Sequence, residues 1–97
     1  MKVHIHEMAA REFDDAILWY DTQSEGLGDR FKKATLQQIE KIKKNPSWFL
    51  KETAEIYKAY IPKFPYKILY TIVEDGLVMW AVAHLHRRPW YWQSRVN

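Results

Sequence analysis

The sequence contains no cysteine and no hydrophobic run long enough to cross a bilayer. Without cysteine, disulfides and thiolate metal sites are excluded, and the chain is compatible with a reducing cytoplasm. The longest strongly apolar run, Leu77 to Ala83, is far too short for a membrane span. The first residues, Met1 to Glu7, lack the apolar stretch of a signal peptide. We therefore expect a cytoplasmic protein that does not engage a membrane.

The composition is that of a folded domain. Hydrophobic residues make up 47% of the 97 residues and charged residues 28%, which is typical of a globular protein rather than a disordered one. Five Trp, six Tyr and four Phe are a heavy aromatic load for this length. We expect a single domain spanning residues 1–97, with some of these rings in its core and others at its surface.

The net charge of +3 is unevenly distributed along the sequence. Residues 1–50 contain eight basic and eight acidic side chains, and residues 51–75 contain four of each. The excess therefore comes from three arginines near the end of the chain, Arg87, Arg88 and Arg95. A local basic field can attract phosphates or an acidic protein partner, although three arginines also fit an ordinary solvated surface.

The first half of the sequence predicts two helices. Apolar residues recur at helical spacing from about Met8 to Thr22 and again from about Asp29 to Lys44, where Asn45-Pro46 ends the pattern. The short link Gly26-Leu27-Gly28 joins the two segments into a helical hairpin. The acidic residues of the first helix are expected on its solvated face: Glu12, Asp14 and Asp15.

The remaining segments predict strands. Val3 to Ile5 resembles a short first strand, and Glu55 to Ile61, Tyr66 to Val73 and Leu77 to His84 follow as a three-strand meander with a hairpin at Asp75-Gly76. The last strand is apolar on both faces, as in a strand that is covered on both sides. The predicted fold class is α+β, with the N-terminal strand and helical hairpin packed on an antiparallel sheet.

Four ordered blocks of the sequence resemble the RelE/ParE superfamily of toxins. The blocks are Ala16 to Phe31 with Trp19-Tyr20 and Gly26-Leu27-Gly28, Ile42 to Pro46, Lys63 to Tyr70, and Ala81 to Pro89 with Trp92 and Arg95 beyond it. The resemblance implies the toxin of a type II toxin–antitoxin system, held by a cognate antitoxin in a hetero-oligomer and requiring no cofactor. RelE-like members cleave mRNA in the ribosomal A site, whereas ParE-like members inhibit DNA gyrase. The Gly-Leu-Gly and Phe-Pro-Tyr elements favour the ParE-like branch.

The alternative is a metal-independent endoribonuclease of the RelE-like kind. Such an enzyme must activate a 2′-hydroxyl, neutralise phosphate charge and protonate the leaving oxygen. The candidates are His84 as general base, with Arg87 and Lys58 as phosphate-binding cations. His84 also fits a packing role. Many relatives carry an Arg-Arg pair where this chain has Tyr57 and Lys58, and the loss of a bidentate phosphate donor weakens the nuclease interpretation.

A second set of residues is predicted to bind a partner or phosphate. It contains Lys63, Arg87, Arg88, Trp90, Tyr91, Trp92 and Arg95. The rings of residues 90–92 either close the open face of the sheet or anchor the antitoxin, and we expect at least one ring in each role. A third hypothesis is a non-toxic module that retains only antitoxin binding.

Two pairs of histidines make a metal site conceivable. His4 and His6 are expected to face the same side of a strand, and so are His84 and His86. No cysteine or carboxylate cluster accompanies them in the sequence. No metal site is therefore expected.

Overall fold

The computed structural model describes residues 1–96, and its helical hairpin follows the predicted pattern. Helix α1 spans Glu7–Gln23 and helix α2 spans Leu27–Lys44. The His6 Nδ1 atom caps α1 by accepting the N–H of Met8 at 3.1 Å. At the link, the Gly28 N–H donates to the Asp21 carboxylate at 2.8 Å. Gly28 is buried there because α1 passes too close for a side chain.

Five strands form one sheet beneath the hairpin. They are β1 (Lys2–Ile5), β2 (Leu50–Lys51), β3 (Tyr57–Tyr60), β4 (Tyr66–Val73) and β5 (Gly76–His84), in the spatial order β1-β5-β4-β3-β2. Strand β1 pairs parallel with β5, and the other pairs are antiparallel. The predicted α+β class and the β3-β4-β5 meander are therefore confirmed. The two-residue β2 was not predicted, and β3 is shorter than the predicted segment.

A bulge divides β5 into two parts. Leu69 of β4 is opposite Ala81 and Tyr70 is opposite Met79, so Trp80 has no partner across the ladder. The extra residue reverses the alternation of side chains along the strand. Met79 and Val82 consequently both belong to the core beneath the helices, while Ala81 belongs to the other face. The prediction that this strand is covered on both faces is confirmed.

The chain after β5 covers the second face of the sheet. It ends in a short helix, α3 (Gln93–Val96), and Asn97 lies outside the described residues. Trp92 is only 4% exposed and packs with apolar residues from the loop and the sheet. This smaller core consists of Ile56, Leu69, Ala81, Ala83 and Trp92.

The predicted hairpin between β4 and β5 is present, but Gly76 has another role in it. Gly76 pairs with Val73 and does not adopt a left-handed conformation. It is buried against β1, where an added Cβ would collide with the backbone carbonyl of Lys2. The glycine is therefore required by the close approach of β1.

No helix within residues 1–96 has the length and apolar character needed to cross a membrane.

Candidate functional site

The carboxylate of Glu12 is the centre of a polar cluster between α1 and the end of the chain. Its two oxygens accept from the Arg95 guanidinium at 2.9 Å each, and one also accepts from the Tyr91 hydroxyl at 2.7 Å. The Glu12 side chain is only 12% exposed and that of Arg95 9%. The prediction that Glu12 lies on the solvated face of α1 is wrong, because this position of the helix faces the edge of β5.

This cluster covers an edge that β1 leaves open. The pairing of β1 with β5 ends at Ile5 and Met79. Beyond that point, Glu12 accepts the Val82 N–H at 3.1 Å, and Arg95 donates to the Trp80 carbonyl at 3.0 Å. The ion pair thus satisfies backbone groups that a neighbouring strand would otherwise satisfy.

Tyr91 is held in the same cluster. Burial raises the pKa of its hydroxyl, and the hydrogen bond to Glu12 raises it further. The hydrogen bond from Arg95 to Glu12 likewise raises the pKa of that guanidinium. The Arg87 guanidinium lies 3.8 Å from the centre of the Tyr91 ring, so the phenol is enclosed between charged groups.

The raised pKa of Tyr91 predicts a loss of stability in alkali. The folded state holds the phenolic proton more tightly than the unfolded chain, whose tyrosine titrates near the ordinary value of 10.0. Stability from this group is therefore complete below pH 10 and falls as the pH rises further toward the folded-state pKa, by at most about 1.4 kcal/mol per pH unit. In Tyr91→Phe this contribution is absent, so the stability gap between the native chain and the variant should narrow above pH 10. Urea unfolding followed by Trp fluorescence from pH 7 to 11 measures that gap.

The exposed Tyr60 provides a matched control for this measurement. Tyr60→Phe should keep the same stability gap to the native chain across the range. A gap for Tyr91→Phe that is equally constant would show that its hydroxyl does not contribute to the alkaline loss.

A groove of about 430 Å³ lies beside this cluster. The His84 ring meets Tyr66 edge-on, with their centres 5.1 Å apart. Burial raises the pKa of Tyr66, Glu12 adds to this effect and Arg87 opposes it. We call this groove of about 430 Å³ the His84 groove. The residues that line it are Glu12, Asp15, Ala16, Trp19, Tyr66, Val82, His84 and Arg87.

The hydrogen bonding of His84 disfavours its predicted role as a general base. Its Nδ1 atom accepts the N–H of His86 at 3.0 Å. A neutral His84 ring in this arrangement carries its proton on Nε2 and has no free lone pair. The ring can donate a hydrogen bond in the groove, but it has no atom ready to accept a proton there.

The proposed nuclease residues are not brought to one place. Arg87 lies with His84 in the groove. Lys58 is paired in register with Leu69, which packs against the face that carries the chain end. Its ammonium lies 3.5 Å from the Glu52 carboxylate. Lys58 is thus on the opposite face of the sheet from His84.

The predicted partner-binding residues divide into a buried and an exposed group. Trp92 is buried and the Arg95 side chain is only 9% exposed; both fix the chain end to the sheet, so their side chains are not available to a partner. Tyr91 is partly buried and bonded to Glu12. The exposed members, for which partner binding stays a prediction, are Lys63, Arg87, Arg88 and Trp90.

Trp90 combines exposure with an unusual backbone. Its φ angle of 65° is left-handed, which is rare for a bulky residue. The ring is 56% exposed and lies 5.8 Å from that of the buried Trp92. The expectation of at least one core ring among residues 90–92 is therefore met by Trp92, and Trp90 is the ring displayed at the surface.

The histidines have local partners in the described part of the chain. His4 lies 3.6 Å from the Asp75 carboxylate, and His6 caps α1. Across residues 1–96, no three His, Cys, Asp or Glu side chains are grouped so as to hold a metal ion.

The helical hairpin separates charges that cancel along the sequence. Helix α1 carries five acidic and one basic side chain, whereas α2 carries six basic and two acidic. Helix α2 also borders a groove of about 510 Å³ with Lys63 on its opposite rim. The count of charge along the sequence therefore does not describe its distribution over the surface, because Arg95 is paired with Glu12 and α2 carries a concentration of cations.

Comparison with known proteins identifies a similar fold. No protein-family model matches the sequence, and no curated protein matches it. Among solved structures, a chain of the chromosomal ParDE toxin–antitoxin system from P. aeruginosa is similar with a TM-score of 0.75. The match covers 87% of this chain and 95% of that one at 9% sequence identity. At this identity the likeness concerns the fold, and the expected RelE/ParE-like fold is confirmed.

Proposed function

We propose that the chain is the toxin of a type II toxin–antitoxin system. It arrests growth in the cytoplasm by inhibiting DNA gyrase, and a cognate antitoxin neutralises it within a hetero-oligomer. The observation that carries the proposal is the likeness to a chain of a ParDE toxin–antitoxin system along 87% of the present chain. The ordered sequence blocks of the same superfamily support it independently.

The geometry supports a binding activity rather than RNA cleavage. The lone pair of His84 that a base would use is occupied by the His86 N–H. Lys58 lies close to Glu52 on the opposite face of the sheet from His84, so the two side chains do not converge on one phosphate. A metal-independent nuclease needs its proton-transfer and phosphate-binding groups around one scissile bond. Inhibition through contact with an essential enzyme does not.

We assign target binding to the exposed segment Leu85–Trp90 and the adjoining rim of the His84 groove. Arg87, Arg88 and Trp90 are exposed in that segment, and the Trp19 ring on the rim is 55% exposed. Tryptophan and arginine dominate the energetics of protein interfaces. The anchored chain end keeps this surface in a fixed conformation, which reduces the entropy lost on binding.

Expression of the chain alone in a sensitive bacterium is expected to abolish colony formation. The purified chain should inhibit DNA supercoiling by gyrase without cleaving mRNA in a translation reaction. Arg87→Ala/Arg88→Ala removes two contacts worth about 1 kcal/mol each, so its half-inhibitory concentration should rise by about thirtyfold. The matched control Lys32→Ala/Lys44→Ala removes two exposed cations of α2 and should remain as inhibitory as the native chain.

Two results would contradict this proposal in different ways. Ribosome-dependent cuts in mRNA that disappear in His84→Ala would identify a RelE-like endoribonuclease instead. Undiminished colony counts with soluble, folded protein would identify a non-toxic antitoxin-binding module. Co-expression with the product of an adjacent reading frame tests the partner, since a cognate antitoxin should restore colony formation.

A further inference from the structure

The groove beside α2 differs in chemistry from the His84 groove. Its rim carries four cations, Arg30, Lys33 and Lys41 from α2 and Lys63 from the β3–β4 turn. Among the described residues, no acidic side chain lines it. We call it the basic groove. Lys33 is 3.2 Å from the exposed Asp29, whereas Arg30, Lys41 and Lys63 form no ion pair with another described residue.

The floor of the basic groove is apolar and firmly supported. Leu27 and Phe64 are partly buried and pack against the core beneath the helices. The Phe64 ring makes edge-on contacts with Tyr20 and Phe31, each with centres 5.1 Å apart. A side chain entering the groove would therefore meet a hydrocarbon surface that does not have to be formed on binding.

The length of the groove suits a short peptide. Arg30 and Lys41 are separated by three helical turns, which correspond to about 16 Å along α2. An extended segment of about five residues spans this distance. Between the two cations, Gln37 is exposed and lines the groove, where its amide can both donate to and accept from a peptide backbone.

The opposite rim is held in an unusual conformation. Lys63 has a φ angle of 70°, a left-handed conformation uncommon for lysine. Its N–H and carbonyl lie in the turn between Ile61 and Tyr66, whose backbone groups are hydrogen-bonded at 2.9 Å. This turn places Lys63 across the groove from α2.

We propose that the basic groove binds an acidic segment of a protein partner. A large apolar side chain of that segment rests on Leu27 and Phe64, and flanking carboxylates meet Arg30, Lys41 and Lys63. The apolar floor favours a peptide over a nucleic-acid duplex, whose outward phosphates would leave that floor uncovered. This inference goes beyond toxin activity and does not depend on it.

The test uses a fluorescein-labelled synthetic peptide in which glutamates flank a central leucine and phenylalanine. Fluorescence anisotropy should show saturable binding that weakens with salt, and amide NMR shifts should map to α2 and the Lys63 turn. Arg30→Glu/Lys41→Glu should weaken binding by about tenfold or more, since it reverses two rim charges. The matched control Lys32→Glu/Lys44→Glu changes the net charge equally outside the groove and should alter the affinity by less than about threefold.

Several outcomes would overturn the proposal. Equal weakening by both double variants would indicate unspecific attraction. Equal binding of a peptide with glutamine in place of every glutamate would remove the role of the carboxylates. Tighter binding of single-stranded DNA or RNA through the same amides would identify a nucleic-acid site, and self-association lost in Arg30→Glu/Lys41→Glu would identify a second copy as the occupant. Should that variant fail to fold, Arg30→Gln/Lys41→Gln makes the same comparison with a smaller charge change.

Discussion

Glu12→Gln is expected to lower the free energy of unfolding by about 3 kcal/mol. The substitution keeps the size of the side chain but removes the negative charge that compensates Arg95, whose side chain is 9% exposed. An uncompensated charge that remains largely buried is strongly destabilising. The amide also cannot accept from the Val82 N–H, the Tyr91 hydroxyl and Arg95 with a carboxylate's strength. Urea unfolding at neutral pH, followed by Trp fluorescence, measures the loss.

Two further variants separate the ion pair from the helix position. Asp14→Asn removes an exposed carboxylate of the same helix and should change stability by less than about 0.5 kcal/mol. Glu12→Gln/Arg95→Met removes both charges and should be more stable than Glu12→Gln alone. If Glu12→Gln were as harmless as Asp14→Asn, the carboxylate would not anchor the chain end.

Gly76→Ala is expected to destabilise the chain by a similar amount, about 3 kcal/mol. The added methyl group would collide with the backbone of Lys2, and neither backbone is a flexible side chain that can turn aside. Strand β1 must separate from β5 or the hairpin must deform, and such overpacking is costly. Urea unfolding gives the total loss. Amide hydrogen exchange locates it, because the His6 N–H that bonds to Met79 should exchange faster.

Gly26→Ala provides the comparison for this experiment. Gly26 has a φ angle of 81° and no atom within 4 Å of an added Cβ, so only backbone strain opposes its replacement. That strain should cost about 1 kcal/mol. Equal losses for Gly76→Ala and Gly26→Ala, with unchanged exchange at His6, would mean that β1 accommodates the methyl group.

The main elements could be predicted because their signals are local. Helical periodicity predicts α1 and α2 to within two residues at each end, alternation predicts β4, and a short run that is apolar on both faces predicts β5. The two-residue β2 has no pattern of its own, since it exists only by pairing with β3. The bulge at Trp80 could not be predicted either. When both faces of a strand are apolar, an extra residue leaves the hydrophobic pattern unchanged.

The site was harder to predict because its contacts join distant parts of the sequence. Nothing near Glu12 indicates that its partner is Arg95, which is 83 residues away. Counting charge by segment does not reveal the basic surface of α2. The acidic residues of α1 cancel the basic residues of α2 in the count, although the two helices present separate surfaces. His84 and Arg87 line one groove, whereas the face that Lys58 occupies depends on the register of β3, which no local pattern reveals.

The contact between Glu12 and Arg95 also bears on how long the folded chain persists. Closing a loop of this length is entropically unfavourable until the intervening sheet exists, so we expect the contact to form after the main folding barrier. Interactions absent from the transition state act on the unfolding rate and leave the folding rate nearly unchanged. We therefore expect the contact between the chain end and α1 to slow unfolding, and so to lengthen the lifetime of the native state, without changing the rate of folding.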